Sequence, residues 1–304
     1  MVPAVLAATP LKWRLSETRV ASVNCEMTLA STTRTDASTI VVVPCYNEAN
    51  RLDLAAYDTF LVRCVDVLLL FVDDGSTDDT PLIIERLRQR HPRRVLTLRL
   101  GTNVGKAEAV RRGMQLAIRR RPDVAGYWDA DLATPLDAIP KFRSVLMERP
   151  EVLLVMGSRV ALLGRHIRRR WRRHLLGRAF ATAASFVLGL PVYDTQCGAK
   201  LFRVTPETAE LFRKPFGTRW IFDVEILARI VKAASTVSEP GAVDILYEYP
   251  LEKWHEVHGS RLKSKDFFVA AFDLAGIYWR SRAAAVSPTN VERPAFDIQY
   301  RDAA

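Results

Sequence analysis

Cysteine is scarce in this chain of 304 residues and is too scattered to build a cross-linked or zinc-bound fold. The four cysteines form no C-x-x-C pair, and none has a histidine at ligand spacing: Cys25, Cys45, Cys64 and Cys197. Structural zinc sites and disulfide frameworks both need cysteines in pairs or clusters. The pattern indicates neither of them and favours reduced thiols in a cytosolic setting.

Long hydrophobic runs are missing as well. No stretch of 18 or more uncharged apolar residues occurs, and residues 1–11 lack the basic start of a signal peptide. A membrane-spanning helix needs about 20 predominantly apolar residues. We therefore expect a chain that is neither secreted nor spans a bilayer.

Acidic residues are missing from one long stretch, residues 152–193, which contains eight arginines. Its most basic part, residues 165–178, runs directly into the twelve mainly apolar residues 179–190. A basic segment joined to a short apolar one is typical of a helix that lies in a membrane interface. The alternative is a solvated arginine-rich helix followed by a core helix. Residues 266–282, where aromatic and basic residues mix, form a second interfacial candidate.

The overall composition is that of a folded protein with an anionic partner. Hydrophobic residues make up 49% of the chain, enough for a sizeable core, and the net charge is +10. Such a charge suits nucleic acid, an anionic membrane or a phosphorylated substrate. Nucleic acid is the least favoured of these, because the aromatic residues are not interleaved with the basic ones as stacking platforms would be.

Strand and helix patterns alternate regularly from residue 39 to residue 157. β-Branched and apolar runs predict strands at 39–45, 67–72, 94–99, 124–128 and 152–157, and helical periodicity predicts helices at 50–64, 78–90, 105–120 and 135–148. This alternation predicts an α/β fold with a right-handed, doubly wound, mostly parallel sheet and flanking helices. Ligands bind such sheets at the carboxyl ends of the strands. Residues 1–38 have no lasting period and are interpreted as an extension.

Pairs of carboxylates stand at two predicted strand ends. Asp129 and Asp131 follow the fourth strand, and these hard oxygen ligands suit Mg²⁺ or Mn²⁺ bridging a diphosphate. A D-x-D pattern alone is weak, because exposed aspartates are often solvated turn residues, but its place at a strand end strengthens it. Asp73 and Asp74 follow the second strand, where a tight turn and helix cap is a structural alternative that leaves ligand contact by Asp73 open.

Four motifs carry a family resemblance in their order and spacing: VVVPCYNEANRL (41–52), FVDDGSTDDT (71–80), NVGKAEAVRRG (103–113) and YWDADLATP (127–135). Together they resemble the nucleotide-sugar-dependent, inverting glycosyltransferases of family 2, which have the GT-A fold. Motifs in the second half narrow the resemblance to dolichyl- or polyprenyl-phosphate β-glucosyltransferases: MGSRV (156–160), DTQCGAKLF (194–202), RWIFDVEILAR (219–229) and YPLEKWHEVHGSRL (249–262). The resemblance covers roughly residues 39–282.

The resemblance implies a nucleoside site at the first two strand ends. Pro44, Tyr46 and Glu48 would flank the nucleoside, with Tyr46 as a stacking face and Glu48 accepting from the ribose hydroxyls. Asp73 would pair with the uracil N3–H. Lys106, after Gly105, would place a cation beside the nucleotide.

The resemblance also implies the reacting end of the site. Asp129 would approach the ribose or the sugar, and Asp131 would be the main metal ligand. Arg159 would contact the diphosphate or an acceptor phosphate, with Lys200 in a supporting role. Plain surface charge is the alternative for both Lys106 and Lys200. Ala133 replaces a glutamine found in mannosyl-transferring relatives, so a third metal ligand from this loop is not expected.

The need for a base depends on the acceptor. A lipid phosphate is already ionised at neutral pH, whereas a hydroxyl needs a carboxylate base. Asp194, Asp223 and Glu225 are the candidates. Asp223 is the first choice, as a base or to orient the acceptor, and a structural partner of an arginine is its alternative. Trp220 and Trp254 suit either a sugar or lipid pocket or the core.

These expectations define an inverting, metal-dependent hexosyltransferase. The resemblance favours glucose from UDP-glucose as donor and polyprenyl or dolichyl phosphate as acceptor, at the cytoplasmic face of a membrane. Transfer to a soluble hydroxyl or a small anionic acceptor, or of mannose from GDP-mannose, stays open. The expected organisation is a GT-A domain over 39–262, including the interfacial segment 165–190, and a C-terminal amphipathic helix and tail over 263–304.

Overall fold

A computed structural model describes residues 38–168, 171–235, 241–255 and 264–283. The predicted N-terminal extension up to residue 37 and the C-terminal tail from residue 284 lie outside the described residues. The elements follow in the order β1 (Thr39–Cys45), α1 (Leu54–Arg63), β2 (Val67–Asp73), α2 (Thr80–Arg90), β3 (Val95–Arg99), α3 (Lys106–Arg119), β4 (Val124–Trp128), α4 (Ala138–Glu148), β5 (Leu154–Ser158), β6 (His166–Arg168), α5 (Trp171–Leu188), β7 (Ala199–Arg203), α6 (Pro206–Leu211), α7 (Phe222–Ala234), β8 (Leu246–Pro250), β9 (Lys253–His255) and α8 (Ser264–Ala283).

The first nine elements confirm the predicted alternation. Strands β1 and β2 are continuous apolar runs because both of their faces are covered, as is usual in parallel sheets. Alternate side chains enter two separate cores: Val41 and Val43 lie in one, Ile40 and Val42 in the other. Helix α1 begins at Leu54, later than the predicted residue 50, because the Asp53 side chain caps it by accepting a hydrogen bond from the backbone N–H of Ala56.

The central sheet has seven strands in the order β3-β2-β1-β4-β7-β5-β8. Six of them are parallel, and β7 runs antiparallel between β4 and β5. The mostly parallel sheet is therefore confirmed. One edge of the sheet collects the carboxyl ends of β1, β2, β4 and β5 with the start of β7. The motif residues that follow these strands consequently meet at that edge.

The basic and apolar segment 165–190 is more divided than the predicted interfacial helix. Residues 166–168 of this segment form β6, which pairs with β9 in a separate two-stranded sheet, and residues 171–188 form α5. Ala184 and Leu188 of α5 are buried in the core, so part of the apolar run packs as the core-helix alternative predicts.

Helix α8 packs against α5 and α7. Apolar side chains occur at both exposed and buried positions over residues 269–279. Leu274 and Ile277 are buried, whereas Phe272 and Trp279 are largely exposed. None of the described helices is long and apolar enough to cross a membrane.

Candidate active site

A cleft of ≈ 750 Å³ opens at the edge of the sheet where the strand ends meet. Eight of the ten predicted site residues line it: Pro44, Tyr46, Glu48, Lys106, Asp129, Asp131, Arg159 and Asp223. Trp220 and Trp254 line it too, and Trp254 also packs against one of the two cores, so it combines both of its predicted roles. Asp73 and Lys200 are the two predicted residues that do not line the cleft.

Asp129 is fixed between a lysine and a glycine. Its Oδ1 accepts a hydrogen bond from Lys106 Nζ at 2.5 Å, and its backbone N–H donates to the Gly198 carbonyl at 2.9 Å. A Cβ atom at Gly198 would lie 1.9 Å from Asp129 Oδ2. Only glycine therefore fits at position 198, where the start of β7 lies against the Asp129 side chain. The glycine of the 194–202 motif was the sequence signal for this role in holding Asp129.

Asp131 stands two residues further along a tight turn. Its Oδ1 accepts from the Ala133 N–H at 3.1 Å, and Leu132 between them has a left-handed φ of 53°, a rare conformation for leucine. Burial and the neighbouring Asp129 raise the pKa of the Asp131 carboxyl.

The two carboxylates fit a divalent cation that also binds phosphate oxygens. Two acidic groups that crowd each other in a partly buried cleft are stabilised when a cation lies between them. Within the described residues no group of three or more His, Cys, Asp or Glu could hold a metal by itself. Mg²⁺ is commonly held by one or two carboxylates and completed by substrate phosphates. Asp131 and Asp129 are thus a donor set of the right kind.

Lys106 lines the cleft beside Asp129, and its side chain is 42% exposed, so its contact with a nucleotide stays a prediction. Desolvation opposes its charge, but Asp129 and Asp223 raise the pKa of its ammonium group well above the usual range. The loop before Lys106 is held by Asp74, whose two carboxylate oxygens accept from the N–H groups of Val104 and Gly105 at 2.8 and 2.9 Å. This supporting role of Asp74 was not predicted from the sequence.

The predicted nucleoside end is built from two interlocked turns. The Asn47 N–H donates to Ser76 Oγ at 3.0 Å, and the Glu48 N–H donates to Thr80 Oγ1 at 2.7 Å. Tyr46 and Glu48 face the cleft from this frame, and Glu48 also pairs with Arg51.

Asp73 has the structural role that was its alternative. Its Oδ1 accepts from the Ser76 N–H at 3.0 Å, and its Oδ2 lies 3.5 Å from Arg99 Nε. The tight turn is therefore confirmed, while Asp79 rather than Asp73 or Asp74 precedes helix α2. Contact of Asp73 with a nucleobase stays a prediction.

Arg159 is held rigidly by Asp194. Two guanidinium nitrogens and the backbone N–H of Arg159 donate to the two Asp194 oxygens at 2.6, 2.7 and 3.1 Å. Burial opposes the charge, but Asp194 raises the pKa of the guanidinium further above its usual value. The guanidinium carbon also lies 5.3 Å from the ring centre of Trp254. Asp194 is thus an orienting partner of a cation and is poorly placed to serve as a base.

Asp223 and Lys200 form a buried ion pair. Asp223 Oδ1 accepts from Lys200 Nζ at 2.6 Å and from the Tyr127 hydroxyl at 2.6 Å. Lys200 is 0% exposed, so surface charge is the wrong reading of this residue. The partner of Asp223 is a lysine rather than the arginine that was its structural alternative.

Glu225 anchors a loop instead of facing the reacting centre. Its carboxylate accepts from the N–H groups of Gly217 and Thr218 and from Arg229 at 2.9 to 3.2 Å. The loop carries Arg219, whose guanidinium would lie 3.3 Å from a Cβ atom at Gly105. Arg219 lines the cleft and was not assigned a role from the sequence, although it opens the 219–229 motif.

The sequence profile of Glycosyl transferase family 2 matches residues 40–207, more than half of the chain. The chain belongs to glycosyltransferase family 2. This family 2 glycosyltransferase is 32% identical to dolichyl-phosphate beta-glucosyltransferase ALG5C of Trichomonas vaginalis, over 80% of its own length and 72% of the relative's. It is 25% identical to polyprenol monophosphomannose synthase of Mycolicibacterium smegmatis, over 83% and 93% of the two chains.

Solved structures show the fold of this family 2 glycosyltransferase independently. It superimposes on glucosyl-3-phosphoglycerate synthase of Mycobacterium tuberculosis, crystallised with Mn²⁺ and UDP-glucose, with a TM-score of 0.56 at 17% identity. The match covers 82% of this chain and 79% of the other. The predicted GT-A fold and the prediction of a glycosyltransferase are therefore confirmed.

Proposed function

We propose that this glycosyltransferase moves glucose from UDP-glucose, with inversion, to the phosphate of a polyprenyl or dolichyl lipid. Relatives of both glucosyl and mannosyl type carry a polyprenol or dolichyl phosphate in their names, which supports the lipid acceptor. The glucosyl type is supported by three relatives of 31 to 32% identity, against 25% for the mannosyl relative.

The observation that carries this proposal is that the candidate bases are all engaged. Asp194 is bound by Arg159, Asp223 by Lys200 and Glu225 by Arg229. A hydroxyl acceptor must lose a proton during attack, and a positioned base contributes about 10²- to 10⁴-fold to such a step. A phosphate monoester has a second pKa of about 6, so it is mostly ionised at neutral pH and attacks unaided. The site therefore supports an acceptor that arrives as an anion.

Residues of the cleft would stabilise the negative charge of the departing diphosphate. Asp131 and Asp129 would hold Mg²⁺ or Mn²⁺, which when bound would neutralise negative charge developing on the leaving group. Lys106 keeps Asp129 in place and brings a positive charge to the same part of the cleft. Arg159, held by Asp194, presents a fixed cation to the diphosphate or to the acceptor phosphate.

The far end of the cleft supports a lipid acceptor at a membrane surface. Gly177, Phe180 and Ala181 of α5 and Ala270 of α8 line it. Arg178 lies there too, with its guanidinium carbon 3.8 Å from the ring centre of Tyr193 and no carboxylate partner among the described residues. The proposal places this enzyme peripherally at the cytoplasmic membrane face, with α5 and α8 toward the lipid.

Product analysis tests the proposal directly. The purified protein is incubated with UDP-glucose or GDP-mannose and with either polyprenyl phosphate or the soluble acceptor 3-phosphoglycerate, with and without Mg²⁺ or Mn²⁺. We expect a metal-dependent β-glucosyl lipid phosphate, identified by mass and by the anomeric coupling constant. Glucosylation of 3-phosphoglycerate alone, or a product from GDP-mannose alone, would contradict the proposal.

A further inference from the structure

A lysine and a tyrosine lie under the cleft where two strands pair. The antiparallel register of β4 and β7 places Tyr127 directly opposite Lys200, so both side chains stand on the same face of the sheet. Tyr127 and Lys200 are fully buried, and both donate to one oxygen of Asp223, at the start of α7. Three elements far apart in sequence thus converge on a single carboxylate oxygen.

This arrangement fixes Asp223 Oδ1 in one place. The remaining acceptors of Lys200 Nζ are the carbonyls of Thr195 and Cys197, at 3.2 and 2.7 Å. Among the described residues, Asp223 is the carboxylate that pairs with this fully buried ammonium group, and breaking such a buried pair is strongly unfavourable. Asp223 is therefore held as a rigid acceptor of hydrogen bonds.

The second oxygen of Asp223 is the one that can meet a ligand. Asp223 lines the cleft, and its Oδ2 accepts no hydrogen bond from any residue that the structure describes. Tyr127 belongs to β4 and Asp129 follows the last residue of this strand, and Asp223 lines the same cleft as Asp129, the carboxylate expected nearest the donor sugar. A fixed carboxylate in this position suits the hydroxyl groups of a hexose.

We propose that Asp223 binds one hydroxyl group of the transferred hexose through Oδ2, and that Lys200 and Tyr127 are positioning residues that fix this carboxylate in one orientation. The inference rests on the proposed function only in taking a nucleotide hexose as the donor. It assigns a donor-recognition role to a residue that the sequence alone suggested as a base.

Calorimetry without any acceptor tests the inference. Affinities of the wild type and of Asp223→Asn are measured for UDP, UDP-glucose and its 2-, 3-, 4- and 6-deoxy analogues. A hydrogen bond to a charged group is worth about 10- to 100-fold in affinity, so Asp223→Asn should weaken UDP-glucose binding by that factor and leave UDP unchanged. For the one analogue that lacks the bound hydroxyl, wild type and variant should bind equally. An equal loss with all four analogues, or an equal loss with UDP, would overturn the proposal.

Tyr127→Phe tests the positioning role without disturbing a charge. We expect a smaller loss with UDP-glucose that disappears with the same deoxy analogue, since Asp223 loses one of its two anchors. Lys200→Met leaves a buried carboxylate unpaired and endangers folding, so it is compared with Arg203→Met. Arg203 is a cation on the same strand that donates to the carbonyls of Val152 and Arg149, away from the cleft. Loss of UDP-glucose affinity in both methionine variants would show a merely structural role.

The proposed donor and the proposed hydroxyl contact of Asp223 can be refuted independently of each other. If the wild type binds GDP-mannose and not UDP-glucose, the proposed donor is wrong, and the same comparison is made with GDP and the deoxy analogues of GDP-mannose. A selective loss in that series supports the role of Asp223, and a uniform loss refutes it.

Discussion

At the residue scale, the closeness of Asp129 and Asp131 lowers the stability of the metal-free folded protein. Because burial and Asp129 raise the pKa of the Asp131 carboxyl, its ionised form is less favourable in the folded protein than in the unfolded chain. The folded protein therefore binds the Asp131 proton more tightly than the unfolded chain does. As the pH rises above the unfolded pKa, ionisation of Asp131 lowers the free energy of unfolding. A metal ion bound between the two carboxylates would reverse this effect.

Replacing Asp131 with asparagine should separate the two effects. Asp131→Asn is expected to lower transfer by at least about 10²-fold, because a metal ligand is worth several kcal/mol in stabilising the leaving group. In metal-free buffer at neutral pH its unfolding temperature should equal or exceed that of the wild type. Thermal unfolding with and without Mn²⁺ is the measurement, and only the wild type should be stabilised by the ion. Full activity of the wild type in EDTA would refute the metal site.

Single residues were predictable where their role is local. Asp129, Asp131 and Arg159 follow strand ends, and a short motif identifies each of them. The buried pairing of Lys200 was not predictable, because its partner Asp223 lies 23 residues away and the pairing depends on the strand register, which local periodicity does not contain.

At the element scale, side chains of α7 hold the loop that precedes this helix. Glu225 binds the Gly217 and Thr218 N–H groups, and Arg229 donates to the Leu211 and Pro215 carbonyls at 2.6 and 2.7 Å. This frame carries Arg219 to its place beside Gly105, and the described residues offer Arg219 no carboxylate partner. We therefore expect Arg219 to contact the diphosphate.

Two variants distinguish the anchor from the residue it holds. Glu225→Ala should lower the free energy of unfolding by about 1–3 kcal/mol, because the Gly217 and Thr218 N–H groups and the Arg229 guanidinium lose a charged acceptor, and should also lower kcat/KM by displacing Arg219. Arg219→Gln should lower kcat/KM by about 10-fold or more with an unchanged unfolding temperature, because its side chain is exposed. Urea unfolding and donor kinetics are measured on both. Activity loss without destabilisation in Glu225→Ala would instead indicate a direct catalytic role.

Elements were predictable in the first half of the chain and less so in the second. Strands β1, β2 and β3 are neighbours in the sheet and β4 pairs with β1, and in this part of the chain the hydrophobic pattern locates the elements within a few residues. Strand β7 lies between β4 and β5 and opposes both in direction. Its place depends on pairing across long separations, which a sequence pattern does not contain.

At the scale of the whole molecule, the neighbouring helices α5 and α8 expose three large aromatic side chains. Phe272 and Trp279 of α8 are 79% and 69% exposed, and Phe186 of the neighbouring α5 is 83% exposed. The same two helices line the far end of the cleft, and α5 continues the acid-free basic segment of the sequence. Apolar and basic groups together are what an anionic membrane surface binds.

Phe272→Ser with Trp279→Ser should therefore weaken binding to vesicles that contain anionic lipid. Burying one such side chain is worth about 1.5–3 kcal/mol, so a loss of at least about 10-fold is expected, with little change in the affinity for UDP-glucose. Val62→Ser with Val65→Ser is the matched control, because these side chains are 70% and 73% exposed at the end of α1, on the other face of the sheet. Cosedimentation with vesicles measures the binding. Equal losses in both double variants would show that exposed apolar area alone drives adsorption, and unchanged binding of the α8 variant would place the lipid-facing surface elsewhere.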